Sequence, residues 1–208
     1  MTNHPSSLTI GMTAHHEAGH VTVAIVLRRP FEAIEVSADG SGEFFPEDQL
    51  LQMNCETYLQ VGTKERAEAE ARVLVYMGGI EAQRRYLVDV GCDDLQLERR
   101  MQTCSYDLDA AREIATGMTA TPAEADAYLD WLQLRAAELW SLPSFWNDVE
   151  IVAAALQEHG RLTERNALVL VTTSTQRKSP APPNAGMYCA NCRKVNCPER
   201  VGASHAGD

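Results

Sequence analysis

Residues 13–20 read Thr13-Ala14-His15-His16-Glu17-Ala18-Gly19-His20, an HExxH pattern set in an apolar run. Apolar residues dominate positions 12–27 without period-2 alternation, and the run stops before Arg28-Arg29-Pro30. This predicts a buried helix closed by the proline. Four residues make slightly more than one helical turn, so His16 and His20 project from one face and are expected to grip a single Zn2+. Glu17 adjoins that face. It is too near His16 in sequence to complete a metal shell, yet well placed to take a proton from a hydrolytic water. His15 points about 100° away from His16 and is expected to pack against the core or support the ligands.

Outward from this helix, Phe31-Glu32-Ala33-Ile34-Glu35-Val36-Ser37-Ala38 sets Ile34, Val36 and Ala38 on one side. Gly40 and Gly42 supply turn chemistry before Phe44-Phe45-Pro46, and a short hairpin is expected. Positions 63–86 read as helix. Gly78-Gly79 interrupts the pattern and suggests close packing against another backbone. Further helices are expected over 105–118 and from Thr121-Pro122-Ala123-Glu124, with proline at the first helical position, through Trp140. A last amphipathic helix after Pro143 uses Val149, Ile151, Val152, Ala155 and Leu156, with Gly160 at its C-terminus. The fold class is therefore mainly α with a short β-hairpin after the HExxH helix. One main domain is expected over 1–171, a flexible Pro/Ser-rich linker over 172–187, and a cysteine-containing tail over 188–208.

A chain of 208 residues with 45% hydrophobic content can bury one sizeable core. Its 18 basic and 29 acidic residues leave a net charge of -11, which repels phosphate backbones and anionic membrane surfaces, so neither nucleic acid nor membrane is an expected partner. No apolar run approaches the ~20 residues that cross a bilayer. MTNHPSSLTIGM at the start lacks the basic and apolar regions of a signal peptide, and a cytoplasmic location is the expectation. In such a compartment Cys55, Cys92 and Cys104 read as buried or inert thiols.

A catalytic zinc needs a third protein ligand and an open position. His159 and His205 lie far along the chain, so a carboxylate from another helix is the expected ligand. Three ordered stretches together resemble the peptidase domain of the FtsH family of zinc metalloproteases. The first is the residue 13–20 motif and the hairpin after it. The second is Tyr76-Met77-Gly78-Gly79-Ile80-Glu81-Ala82. The third is Ser105-Tyr106-Asp107-Leu108-Asp109-Ala110-Ala111-Arg112-Glu113-Ile114-Ala115. The resemblance covers residues 12–171. It implies a zinc metalloendopeptidase with Glu17 as general base and Asp107 as the third ligand beside His16 and His20, Asp94 being the rival.

The same resemblance implies broad specificity, with substrate pairing to an edge strand near residues 40–45, and self-association into homo-oligomers. Where that family carries paired glutamates after the diglycine, this sequence has Gln83 and Arg84. Nothing in it resembles the family's ATPase module or membrane helices, so the expected substrates are peptides or unfolded segments. Two alternatives stand beside this reading. One is a peptidase-like subunit that needs a separate ATPase or adaptor; the other is a non-catalytic, metal-stabilised binding module. Cys189, Cys192, Cys197 and His205 offer four ligands for a possible second, structural zinc in the tail.

Overall fold

Among the described residues of this computed structural model, 7–46 and 63–178, the HExxH run is helical over α1 (Ser7–Val26). Ala14, Ala18, Val21, Val23 and Ala24 are almost wholly buried and fall on more than one side of the helix. Such a helix lies inside the fold rather than on it. The helix ends before the expected proline. Arg28 turns left-handed at φ 54°, its N–H reaches the Ile25 carbonyl (3.1 Å), and the Arg29 N–H reaches back to Ala24 (2.7 Å). This doubly bonded ending satisfies the last carbonyls before Pro30 is reached.

The hairpin follows as β1 (Phe31–Val36) and β2 (Gly42–Pro46), and a third short strand, β3 (Arg161–Thr163), pairs on the other side of β1. All pairings are antiparallel and the order is β2-β1-β3, which puts β1 in the centre and β2 at an edge. The register slips between Phe31 and Ala33, so Ala33 and Ile34 are both buried instead of alternating. Ala38, expected on the inner side, is exposed in the turn beyond the strand. That turn is closed by Ser37 N–H to the Ser41 carbonyl (2.8 Å) and by Asp39, which accepts from Ser41.

α2 (Thr63–Asp89) runs unbroken through Gly78-Gly79, in keeping with the helix expected over 63–86. The expected close approach is present: a Cβ on Gly78 would lie 2.8 Å from the Gly19 carbonyl oxygen, and one on Gly19 would lie 2.3 Å from that of Gly78. Glycines facing each other let the α1 and α2 backbones touch, which repays the helix-propensity cost of each glycine. Gly11 meets Tyr86 and Gly19 meets Gly78, so the two helices are antiparallel.

Next come α3 (Asp94–Met101), a short 3-10 turn over Gln102–Cys104, and α4 (Ser105–Gly117). α5 (Pro122–Trp140) starts with a full capping box between Thr121 and Glu124, as its sequence predicts. α6 (Pro143–His159) ends at Gly160, whose φ of 73° suits the residue type. Its Phe145, Trp146, Val149, Val152, Ala153 and Leu156 pack with α1 and β1 in the main core. A smaller cluster of Val73, Met77, Ala111 and Leu132 joins α2, α4 and α5.

α6 is not the last helix. α7 (Glu164–Lys178) continues across position 172, where a linker was expected. The Thr172 and Thr173 hydroxyls donate to the carbonyls of Leu168 and Val169, both at 2.7 Å, and so satisfy themselves within the helix. By compactness the chain divides into Met1–Ser174 and Thr175–Asp208, and the core, sheet and cleft all lie within the first unit. No helix among the described residues is long and apolar enough to cross a membrane.

Candidate metal centre

His16 and His20 stand one turn apart on α1, and Asp107 enters from the first turn of α4. His16 Nε2 lies 2.9 Å from Asp107 Oδ2, His20 Nε2 lies 3.6 Å from the same oxygen, and the two Nε2 atoms are 3.1 Å apart. Ligand atoms of a tetrahedral zinc, each about 2.0–2.1 Å from the ion, sit about 3.3 Å from one another, so this spacing fits the ion. Among the described residues these three form the one cluster with metal-ligand geometry. The rival Asp94 is exposed in the first turn of α3, outside it.

The other ring nitrogens are also engaged. His20 Nδ1 lies 2.8 Å from the Val75 carbonyl, so it carries the proton and donates, leaving the Nε2 lone pair free for a cation. This contact depends on the glycine approach of α1 to α2. His16 Nδ1 lies 3.8 Å from Cys104 Sγ, a buried free thiol whose pKa burial pushes up to about 12. Neither Val75 nor Cys104 is signalled by the sequence pattern. A backbone carbonyl has no residue signature, and Cys104 read as an inert thiol.

Glu17 is 5% exposed, and its Oε2 is buried with no hydrogen-bond partner among the described residues. A bare buried carboxylate oxygen is costly unless something outside the chain meets it. Burial raises the Glu17 carboxyl above its ordinary range, while His20 and His16 pull it down. Gly42 presses on this side chain: a Cβ there would lie 2.4 Å from Glu17 Oε1 and 2.6 Å from Thr13 Cγ2. The Thr13 hydroxyl donates to the Gly40 carbonyl at 2.8 Å and ties the hairpin turn to α1 beside Glu17.

Burial opposes a charge on His20, but the hydrogen bond and charge of Asp107, with help from Glu17 and the Val75 carbonyl, raise it to about 9. Burial likewise opposes ionisation of Asp107, yet the two histidines hold it far below the usual carboxylate range. A cation is thus already favoured where the three ligand atoms converge. His15 turns away as expected. Its ring stacks on Tyr86 at 4.1 Å and lies near Trp146, and its Nδ1 reaches the Gly11 carbonyl.

His16, Glu17, His20 and Asp107 line a cavity of about 790 Å³, open between α1, α2 and β2. Residues 40–46, Arg29, Arg72, Tyr76, Gln83 and Tyr106 also line it. Gln83, at a position where the resemblance implies a carboxylate, is buried and donates to the Arg100 carbonyl (2.9 Å) and Thr103 Oγ1 (3.0 Å). Of the other thiols, Cys92 is free and half-buried. Cys55 and the tail group of Cys189, Cys192, Cys197 and His205 lie outside the described residues. The chain matches no protein-family model and no curated protein sequence.

Proposed function

We propose that this chain is a zinc-dependent metallopeptidase of the FtsH peptidase type, acting on peptides or unfolded segments. The observation that carries the reading is the buried, unpartnered Oε2 of Glu17 beside the converging atoms of His16, His20 and Asp107. A structural metal site closes on four protein ligands and has no use for a neighbouring base. Here three ligands converge, and a raised-pKa carboxylate faces the same space.

When bound, zinc would polarise the scissile carbonyl and make water acidic enough to ionise near neutral pH. His16, His20 and Asp107 would hold the ion, with the Val75 carbonyl fixing the His20 tautomer. Glu17 takes the proton from the attacking water and returns it to the leaving amine. Its burial makes it more basic than an ordinary glutamate, as suits a general base.

The cleft also suits an extended chain. β2 pairs only with β1 among the described strands, and its residues line the cavity from Gly42 to Pro46. A substrate strand added to that edge would bind through its own backbone, which accounts for peptides rather than folded proteins as substrates.

Metal content and cleavage of an unstructured protein such as casein, measured for wild type and Glu17→Gln, test the reading. Zinc retained and cleavage lost in the variant is the expected pair of results. A wild-type protein that holds no zinc overturns the proposal. A zinc-loaded wild type that cuts no unfolded substrate favours the adaptor-dependent or binding readings.

A further inference from the structure

The cleft has two electrically different ends. At one end Glu17, Glu43 and Asp107 gather about the candidate metal ligands. At the other stand Arg29 and Arg72. Arg29 follows the left-handed ending of α1, where its backbone N–H is fixed on Ala24. Its Nε is buried and meets no acceptor among the described residues. The one further carboxylate lining this end, Glu32, lies 3.7 Å from Arg161 on the neighbouring strand and so has a cation of its own.

The spacing between the two ends follows from the elements. On α2 the His20 ring is met by the Val75 carbonyl and by Gly79, three and seven residues after Arg72, so about 5–10 Å of helix axis separates the Arg72 backbone from those contacts. β2 spans the same interval. Gly42 touches Glu17, the Phe44 ring lies 5.7 Å from that of His20, and Pro46 pairs with Phe31, two residues after Arg29. At about 3.3 Å per residue, an extended peptide along β2 needs some three residues to pass from one end to the other.

The geometry points to a carboxylate subsite: Arg29 receives an acidic side chain of the substrate about three residues from the scissile bond. This rests on the peptidase reading for the position of that bond, but not for the subsite itself. A guanidinium with an unmet, buried N–H gains most from a planar anion that forms a charge-assisted hydrogen bond. A side chain without an acceptor leaves the Nε unsatisfied, and a neutral amide meets it without the gain of the charge.

The test uses the zinc-loaded full chain and neutral fluorogenic peptides in which a single Glu, or Gln as control, is moved from two to four residues on either side of the cleavage point. At one position Glu is expected to exceed Gln about tenfold in kcat/KM, the scale of one charge-assisted bond. Arg29→Gln should bring that ratio close to one. Arg29→Glu should reverse it, so that a Lys peptide exceeds the Glu peptide, which a merely weakened fold would not do.

Binding of the labelled Glu and Gln peptides to zinc-loaded Glu17→Gln, with and without Arg29→Gln, is followed by fluorescence anisotropy and separates the two proposals. Glu-selective binding that Arg29→Gln abolishes supports the subsite even if no peptide is ever cut. Equal binding of both peptides overturns it, as does Glu-selective binding that survives Arg29→Gln but disappears on chelation, because the carboxylate then sits on the metal.

Discussion

Gly79 and the His20 ring are in direct contact across the α1–α2 interface: a Cβ on Gly79 would come within 2.5 Å of both Cε1 and Nε2 of His20. Replacing a mid-helix glycine by alanine ordinarily gains up to about 1 kcal/mol of helix propensity. Here the added methyl would push the imidazole off the line that joins it to the Val75 carbonyl. Gly79→Ala is therefore expected to keep or raise helicity while weakening zinc affinity at least tenfold, within the range seen when a ligand's supporting contact is lost. Circular dichroism and competition against a chelator measure the two effects separately. Unchanged affinity would mean that the ring is free to move.

Gly42 lies against Glu17 and Thr13 together, and the Thr13 hydroxyl ties the hairpin turn to α1 beside them. Gly42→Ala would drive a methyl into Glu17 Oε1, and Thr13→Val would release the turn by removing the hydroxyl that donates to Gly40. Both variants are expected to retain zinc and lose kcat, by roughly ten- to a hundredfold, as a displaced general base does. Thr13→Val should also cost about 1 kcal/mol of stability for its lost hydrogen bond. Atomic absorption and steady-state kinetics decide the matter. Loss of zinc in either variant would contradict this division of roles.

Charge coupling at the site makes metal-free stability depend on pH. The folded pKa of His20 rises from 6.5 to about 9, so its contribution is complete below pH 6.5 and is lost as pH climbs through 9. The folded pKa of Asp107 falls below 3.8, so its contribution is complete above pH 3.8 and is lost as acid protonates the carboxylate. The pair therefore stabilises most between these limits. Raising the pH from 6.5 to 9 should cost the metal-free protein on the order of 3 kcal/mol at this site. Denaturant melts of wild type and Asp107→Asn at both pH values check it: the difference should be present in the first and absent in the second.

Local features of the fold were legible in the sequence, while contacts across it were not. The HExxH helix, the Gly78-Gly79 approach and the Thr121–Glu124 capping box each depend on residues within one or two turns, where spacing carries the information. α3 is only eight residues long and has no buried residue, so it offers no long apolar run to mark it as a core helix. α7 was hidden by its Thr-Thr-Ser-Thr run, of which the Thr172 and Thr173 hydroxyls donate to carbonyls one turn back. The approach of Asp107 to the histidines spans 91 positions to His16 and 87 to His20, and only a resemblance pointed to it. Val75 acts through its carbonyl and Cys104 through proximity, and Arg29 acquires its place from the way α1 ends.

Gln83 connects these distant parts. Its buried amide donates to the Arg100 carbonyl and to Thr103 Oγ1, and so fixes the end of α3 and the 3-10 turn to α2, immediately before the helix that presents Asp107. Gln83→Leu nearly keeps the volume but removes both bonds that tie this turn to α2, leaving the Thr103 hydroxyl still donating to the Arg100 carbonyl, at a cost of about 1 kcal/mol per lost bond. Because both lost contacts lie on the path to Asp107 and neither lies on α1, the injury should fall on the third ligand alone. Zinc affinity is expected to drop, whereas the His15 stack on Tyr86 and the main core keep their protection. Hydrogen exchange resolves this: amides of α4 should exchange faster in Gln83→Leu and those of α1 should not. Equal acceleration in both helices would show that Gln83 supports the whole fold rather than the position of Asp107.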